Sequence, residues 1–180
     1  FGGFATDLTF QGVGGPLTVL NEGSFLWRDG ISRLPNITLT NATFENSANA
    51  VDVTGFTINM TNGAASILGD GTFKNGPLSE IVVGGTSAAS FNTGAFLNEG
   101  LVELTPGSTL NLLGTSNTLT LGNGSILAGE GILNGNVIVN AGGLIAPAWE
   151  TTGQLTINGG LNINSGNLLF DLDIPGDVQD

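Results

Sequence analysis

The feature that most restricts the folds open to this chain is a short, soft repeat. "LVEL" (Leu101–Leu104), "TLTL" (Thr118–Leu121), "VIVN" (Val137–Asn140) and "LTIN" (Leu155–Asn158) recur at a spacing of about 17–18 residues. Each is followed by a glycine (Gly107, Gly124, Gly142, Gly159) and then by a second apolar pulse at Leu110, Ile126, Leu144 or Leu161. A period of this size is too short for a helical hairpin and matches one turn of a β-solenoid. Alternation inside each unit has period 2, so Val137 and Val139 share one strand face, as do Leu155 and Ile157. Glycine supplies the backbone angles that turn the chain between strands, and asparagine tolerates the same left-handed region. Asn140 and Asn158 are expected to stack as a ladder of amides. One such turn is too small to hide its own apolar side chains. Piling turns along an axis closes the core.

Composition agrees. Thirty glycines, 10% charged and 40% hydrophobic residues fit neither a compact helical domain nor a disordered chain. The expected fold is all-β, a single-stranded parallel β-helix (β-solenoid) with about 17–18 residues per turn in the C-terminal half. At that length the chain makes roughly ten turns and, with strands ~4.8 Å apart, a rod on the order of 50 Å long. Residues 1–180 read as one domain, with irregular turns and loops over 1–100 and regular turns over 101–174. In the first part "LTVLNEGSFLW" (Leu17–Trp27), "NITLTNATF" (Asn36–Phe44), "FTINMTNGAASILGDGTF" (Phe56–Phe73) and "EIVVGG" (Glu80–Gly85) keep the same texture at a broader spacing. A separate β-sandwich in that half is the alternative. The chain opens at Phe1 rather than Met, so a processed product or a segment of a longer protein is expected.

The charge balance excludes several partners. Three basic residues (Arg28, Arg33, Lys74) stand against fifteen acidic ones, a net charge of −12. No Lys/Arg cluster exists to displace counterions from nucleic acid or to hold an anionic lipid surface. No stretch approaches the ~18 apolar residues of a membrane span, so membrane insertion is not expected. Cysteine and histidine are absent. Disulfides and Cys/His nucleophile–base pairs are therefore excluded.

The segment "LAGEGILNGNVIVNAGGLIAPAWETTGQLTINGGLNINSGNLLFDLD" resembles the repeats of passenger regions in autotransporter-like bacterial surface proteins, with their "LNGNV…NAGG" and "GTLTI" pieces and a closing "L.F.L" strand. "GSFLWRDG" (Gly23–Gly30) is similar to the "G.F.W.GG" pieces of related solenoids. The resemblance is best over roughly residues 100–175 and implies an extracellular or cell-surface β-solenoid. One departure stands out: the family's Pro-Gly is Pro147-Ala148 here, followed by Trp149. Alanine takes φ > 0 only at a cost, so a different turn type is expected there.

Candidate sites are few. Hydrolytic β-helices need clustered carboxylates, whereas Glu99 and Glu103, then Glu130, then Glu150, are scattered, and the chain reads as a non-enzyme. The acidic tail Asp171, Asp173, Asp177 and Asp180 could bind Ca²⁺ but lacks the spacing of an EF-hand loop. A solvated chain end that deters edge pairing is the simpler reading, so no cofactor is assigned. Trp27 beside Arg28, and Trp149, are candidate sugar-stacking aromatics. Asn36, Asn41, Asn59 and Asn123 begin N-x-S/T sequons. Apolar strands "ATDLTF" and "NLLFDL" lie near the two termini, which makes Leu8, Phe10, Leu168, Phe170 and Leu172 candidate assembly contacts.

The expected function is structural: an extracellular subunit that joins copies of itself head to tail into a filament, through solenoid ends or strand exchange. A monomeric adhesin or glycan-binding stalk is the alternative. A polysaccharide-active β-helix enzyme comes last.

Overall fold

The computed structural model describes the backbone of residues 8–11, 13, 17–21, 25–33, 37–40, 42–46, 57–148 and 153–170, and the surroundings of side chains at 13, 42–46, 66–148 and 153–170. Twenty short strands follow one another with one 3₁₀ turn among them. The first six are β1 (Leu8–Gln11), β2 (Leu17–Asn21), β3 (Phe25–Arg33), β4 (Ile37–Thr40), β5 (Ala42–Asn46) and β6 (Thr57–Gly69). Then come β7 (Thr72–Asn75), β8 (Glu80–Gly84), β9 (Ala88–Asn92), β10 (Ala95–Asn98), β11 (Leu101–Leu104) and β12 (Thr109–Leu112). After the 3₁₀ turn Gly114–Ser116 lie β13 (Thr118–Leu121), β14 (Ile126–Gly129), β15 (Ile132–Asn134) and β16 (Asn136–Val139). The last are β17 (Leu144–Pro147), β18 (Thr156–Asn158), β19 (Leu161–Ile163) and β20 (Asn167–Leu168).

All the strand pairs are parallel, and they build three walls. The first stacks β3, β6, β8, β11, β14, β17 and β20. The second stacks β1, β4, β6, β9, β12, β15 and β18, with the long β6 serving both walls. The third consists of two sheets, β2-β5-β7-β10 and β13-β16-β19. The chain is thus an all-β parallel solenoid with three strands to a turn. Pairing runs across residue 100 without a break, since β11 lies between β8 and β14.

The turns are longer and fewer than the repeat suggests. An offset of 18 residues holds for one step, Thr118↔Asn136 with Ile126↔Leu144. Elsewhere the offset is 21 (Glu80↔Leu101), 25 (Leu101↔Ile126), 23 (Thr109↔Ile132) or 24 (Ile132↔Thr156, Val137↔Leu161). The first wall is seven strands deep rather than ten, which is about 30 Å at the ~4.8 Å strand spacing.

Period-2 alternation fills the interior. On the first wall Ile81, Val102, Leu127 and Ile145 form one in-register buried column. On the second, Ala89, Leu110 and Leu133 form another. The third wall supplies Phe44, Phe73 and Phe96 below and Leu119–Val137 and Leu121–Val139 above. Phe44 and Phe73 stack at 5.4 Å with ring planes 2° apart, and Phe91 reaches in from the second wall to meet Phe73 at 5.1 Å and Phe96 at 4.6 Å. Aromatic pairs in such geometries add about 0.5–1.5 kcal/mol beyond the area they bury.

Two expectations are corrected at the turns. Ala148 has φ +51°, so it occupies the left-handed region that glycine would take rather than changing the turn. Its N–H donates to Gly129 O at 2.9 Å and its methyl is buried, and packing thereby offsets the backbone penalty. Asn140 and Asn158 do not stack on each other. Asn164 Nδ2 donates to Asn140 Oδ1 at 2.8 Å and Asn158 Nδ2 to Asn134 Oδ1 at 2.9 Å, because the offset here is 24 residues.

Candidate functional site

Three arrangements carry the polar chemistry of the described residues. The first is internal. Asn46, Asn75 and Asn98 occupy one in-register column of the third wall and are buried. Asn46 Nδ2 donates to Asn75 Oδ1 at 2.9 Å, Asn75 Nδ2 to Asn98 Oδ1 at 2.8 Å, and Asn98 Nδ2 to Gly100 O at 3.1 Å. Each amide thus offers its donor to the next rung and its oxygen to the one before, which satisfies buried polar groups that would otherwise be costly. The sequence signal for this column is a thrice-repeated Phe-x-Asn: Phe44-Glu45-Asn46, Phe73-Lys74-Asn75 and Phe96-Leu97-Asn98. The 17–18-residue search passed over it because its spacing is 29 and then 23 residues.

The second arrangement is acidic. Lys74 Nζ lies 3.0 Å from Glu45 Oε1 and 3.5 Å from Glu99 Oε2, so one ammonium bridges three rungs. The hydrogen bond to Glu45, set against desolvation, holds the Lys74 pKa above its ordinary value. Glu103 turns instead to Glu80 on the neighbouring rung. Desolvation first, then the charge and hydrogen bond of Glu80, raise the Glu103 carboxyl above its ordinary 4.5. Glu99 and Glu103 therefore serve different partners and do not form a catalytic pair with each other. Among the described residues no group of three His, Cys, Asp or Glu is placed to hold a metal ion.

The third is the last described turn. Leu161, Ile163 and Leu168 continue the buried columns of Val137, Val139 and Ile145, yet they are 47%, 42% and 38% exposed. Beyond β18, β19 and β20 no described strand pairs. Phe170 is exposed beside them. Of the other expected assembly contacts, Leu8 and Phe10 sit on β1, where only the backbone is described, and Leu172 lies outside the described residues.

The remaining candidates are dispersed. Asn123 is exposed in a turn at φ +52°. Ser125 of its sequon is buried, with its Oγ accepting from Gly122 N at 2.7 Å. Asn59 sits on β6, paired with Leu26 and Val82. Asn36, Asn41, Trp149, Glu150 and the aspartates of the tail lie outside the described residues, as does the side chain of Trp27. No helix among the described residues is long and apolar enough to cross a membrane.

No family model, curated protein or solved structure matches this chain. What the geometry defines is a class, the three-walled parallel β-solenoid with aromatic and asparagine columns.

Proposed function

We propose that this chain is a non-catalytic structural subunit, working outside the cell or on its surface, that joins copies of itself head to tail. The observation that carries the reading is the last described turn. Its core-register side chains Leu161, Ile163 and Leu168 are exposed, and three strand edges there have no described partner. Unpaired parallel edges over an apolar floor are templates for another rung. A contact between unlike ends does not close on itself and grows as a filament. The resemblance to passenger-region repeats supports the location, and the low content of charged residues suits a rod that packs end on.

The test is light scattering with electron microscopy of the full chain over a range of concentrations. Mass that grows with concentration and single-file filaments are expected. Ile163→Asp should suppress both while leaving the circular dichroism of the rod unchanged. A wild-type monomer that persists at high concentration would overturn the reading.

A further inference from the structure

The third wall is interrupted between β10 and β13. β13 lies against β10, but no strand ladder joins them, while the first and second walls run on unbroken at the same level through β8-β11-β14 and β9-β12-β15. Hydrogen bonding on either side fixes which groups face the gap. Ala95 N donates to Gly71 O and Glu99 N to Asn75 O, so Ala95, Leu97 and Glu99 turn their backbone groups toward β7. Asn136 N donates to Asn117 O and Asn140 N to Leu121 O, so Leu119 and Leu121 turn theirs toward β16. In a parallel strand the N–H and C=O of one residue point the same way and alternate along the chain. The backbone groups of Phe96 and Asn98 on one side, and of Thr118 and Thr120 on the other, therefore face the seam without a strand partner.

The seam is pinned at one end and open at the other. At its start the 3₁₀ turn substitutes side chains for the ladder: Thr115 Oγ1 donates to Thr93 O at 2.8 Å, and Ser116 Oγ accepts from Thr93 N at 3.2 Å. At its far end it widens into a cleft of about 430 Å³ between Leu97, Asn98 and Glu99 below and Thr120, Asn123 and Asn140 above. The core changes at the same level, from the phenylalanine and asparagine columns that stop at Phe96 and Asn98 to the aliphatic column that begins at Leu119 and Leu121.

We propose that the seam is a built-in hinge: the third wall parts between β10 and β13 while the other two walls hold, so the rod bends open along this face. Opening there breaks no strand ladder, whereas opening at any other described level of the third wall breaks one. Local opening takes the route with the fewest backbone bonds to lose.

Hydrogen exchange followed by NMR on the intact chain tests this, combined with a short bis-maleimide bridge between Leu97→Cys and Thr120→Cys. Both positions are exposed on the cleft, and the natural chain has no cysteine. The Phe96 amide, which sits in a buried residue, should exchange at least tenfold faster than those of Leu97 and Leu119. Bridging should slow it at least tenfold, and the unbridged double variant should behave like the wild type. A Phe96 amide as slow as its neighbours, or one whose rate the bridge leaves unchanged, would overturn the hinge. Should the double variant fail to fold, Phe96 exchange in wild type against Thr115→Val, which removes the pin at Thr93, decides the matter. The hinge requires faster exchange in the variant, and an unchanged rate would refute it.

Discussion

Asn75 and Asn98 meet inside the third wall, where Asn75 Nδ2 donates to Asn98 Oδ1 at 2.8 Å with both side chains buried. Asn75 also accepts from Asn46 and reaches Leu101 O at 3.0 Å, so one amide joins four rungs. Asn75→Ala would strand a donor on Asn46 and an acceptor on Asn98. A loss of about 2–4 kcal/mol is expected, from unsatisfied buried groups at about 1–3 kcal/mol each that do not add in full. Asn134→Ala on the outward ladder, where water replaces the lost partners, should cost under about 1 kcal/mol. Urea denaturation of the two variants reads the contrast, and equal losses would show that burial does not set the ladder's worth.

Phe73 is the middle of the aromatic column, fully buried and in contact with Phe44, Phe91 and Phe96. Phe73→Ala should cost about 3–5 kcal/mol and Phe73→Leu distinctly less, since leucine refills part of the cavity. Thermal melts check the order. An alanine variant as stable as the leucine one would mean that the column collapses onto the gap.

How much of this was legible in the sequence turns on what a period reveals. The inside–outside alternation of Val137 and Val139, both buried, is a local property of extended chain and is read directly. The turn length is not. LVEL lies on the first wall, TLTL and VIVN on the third, and LTIN on the second. Three strands per turn share one alternation, so any strand resembles any other, and likeness between segments does not say which is stacked on which. Only the TLTL-to-VIVN step joined true neighbours. Phe-x-Asn carried the better register, because its two unlike residues occur together on one wall alone among the described core positions. Leu161, Ile163 and Leu168 as the exposed last rung needed the structure, since their register partners Val137, Val139 and Ile145 are far away in sequence.

Backbone angles set two substitutions of opposite sign. Gly129 has φ +106°, and a Cβ there would lie 2.1 Å from Leu104 O, which is fixed by hydrogen bonds from Glu130 N and Gly131 N. Gly129→Ala should therefore lose more than about 2 kcal/mol through strain and displaced backbone. Leu78 is an exposed leucine at φ +59°, where a branched side chain is disfavoured. Leu78→Asn should gain about 0.5–1 kcal/mol, because asparagine adopts this region more readily. Chemical denaturation compares both with wild type. A stabilised alanine variant or a destabilised asparagine variant would contradict the argument.

Glu103 makes stability depend on pH in a direction that can be worked out. Its folded pKa is raised above 4.5, chiefly by desolvation and then by Glu80, so the folded chain holds this proton more tightly than the unfolded chain does. Where the native state binds more protons, stability falls as pH rises. The contribution is fully present below the ordinary value and is lost as pH climbs from about 4.5 through the raised folded value. Glu103→Gln keeps a neutral side chain of the same shape at every pH. The variant should match wild type near pH 4 and exceed it increasingly toward pH 7, in unfolding curves measured at constant ionic strength. A variant that is weaker than wild type at neutral pH would mean that the Glu103 carboxylate is held by a favourable partner, and that the carboxyl pair is not the source of the shift.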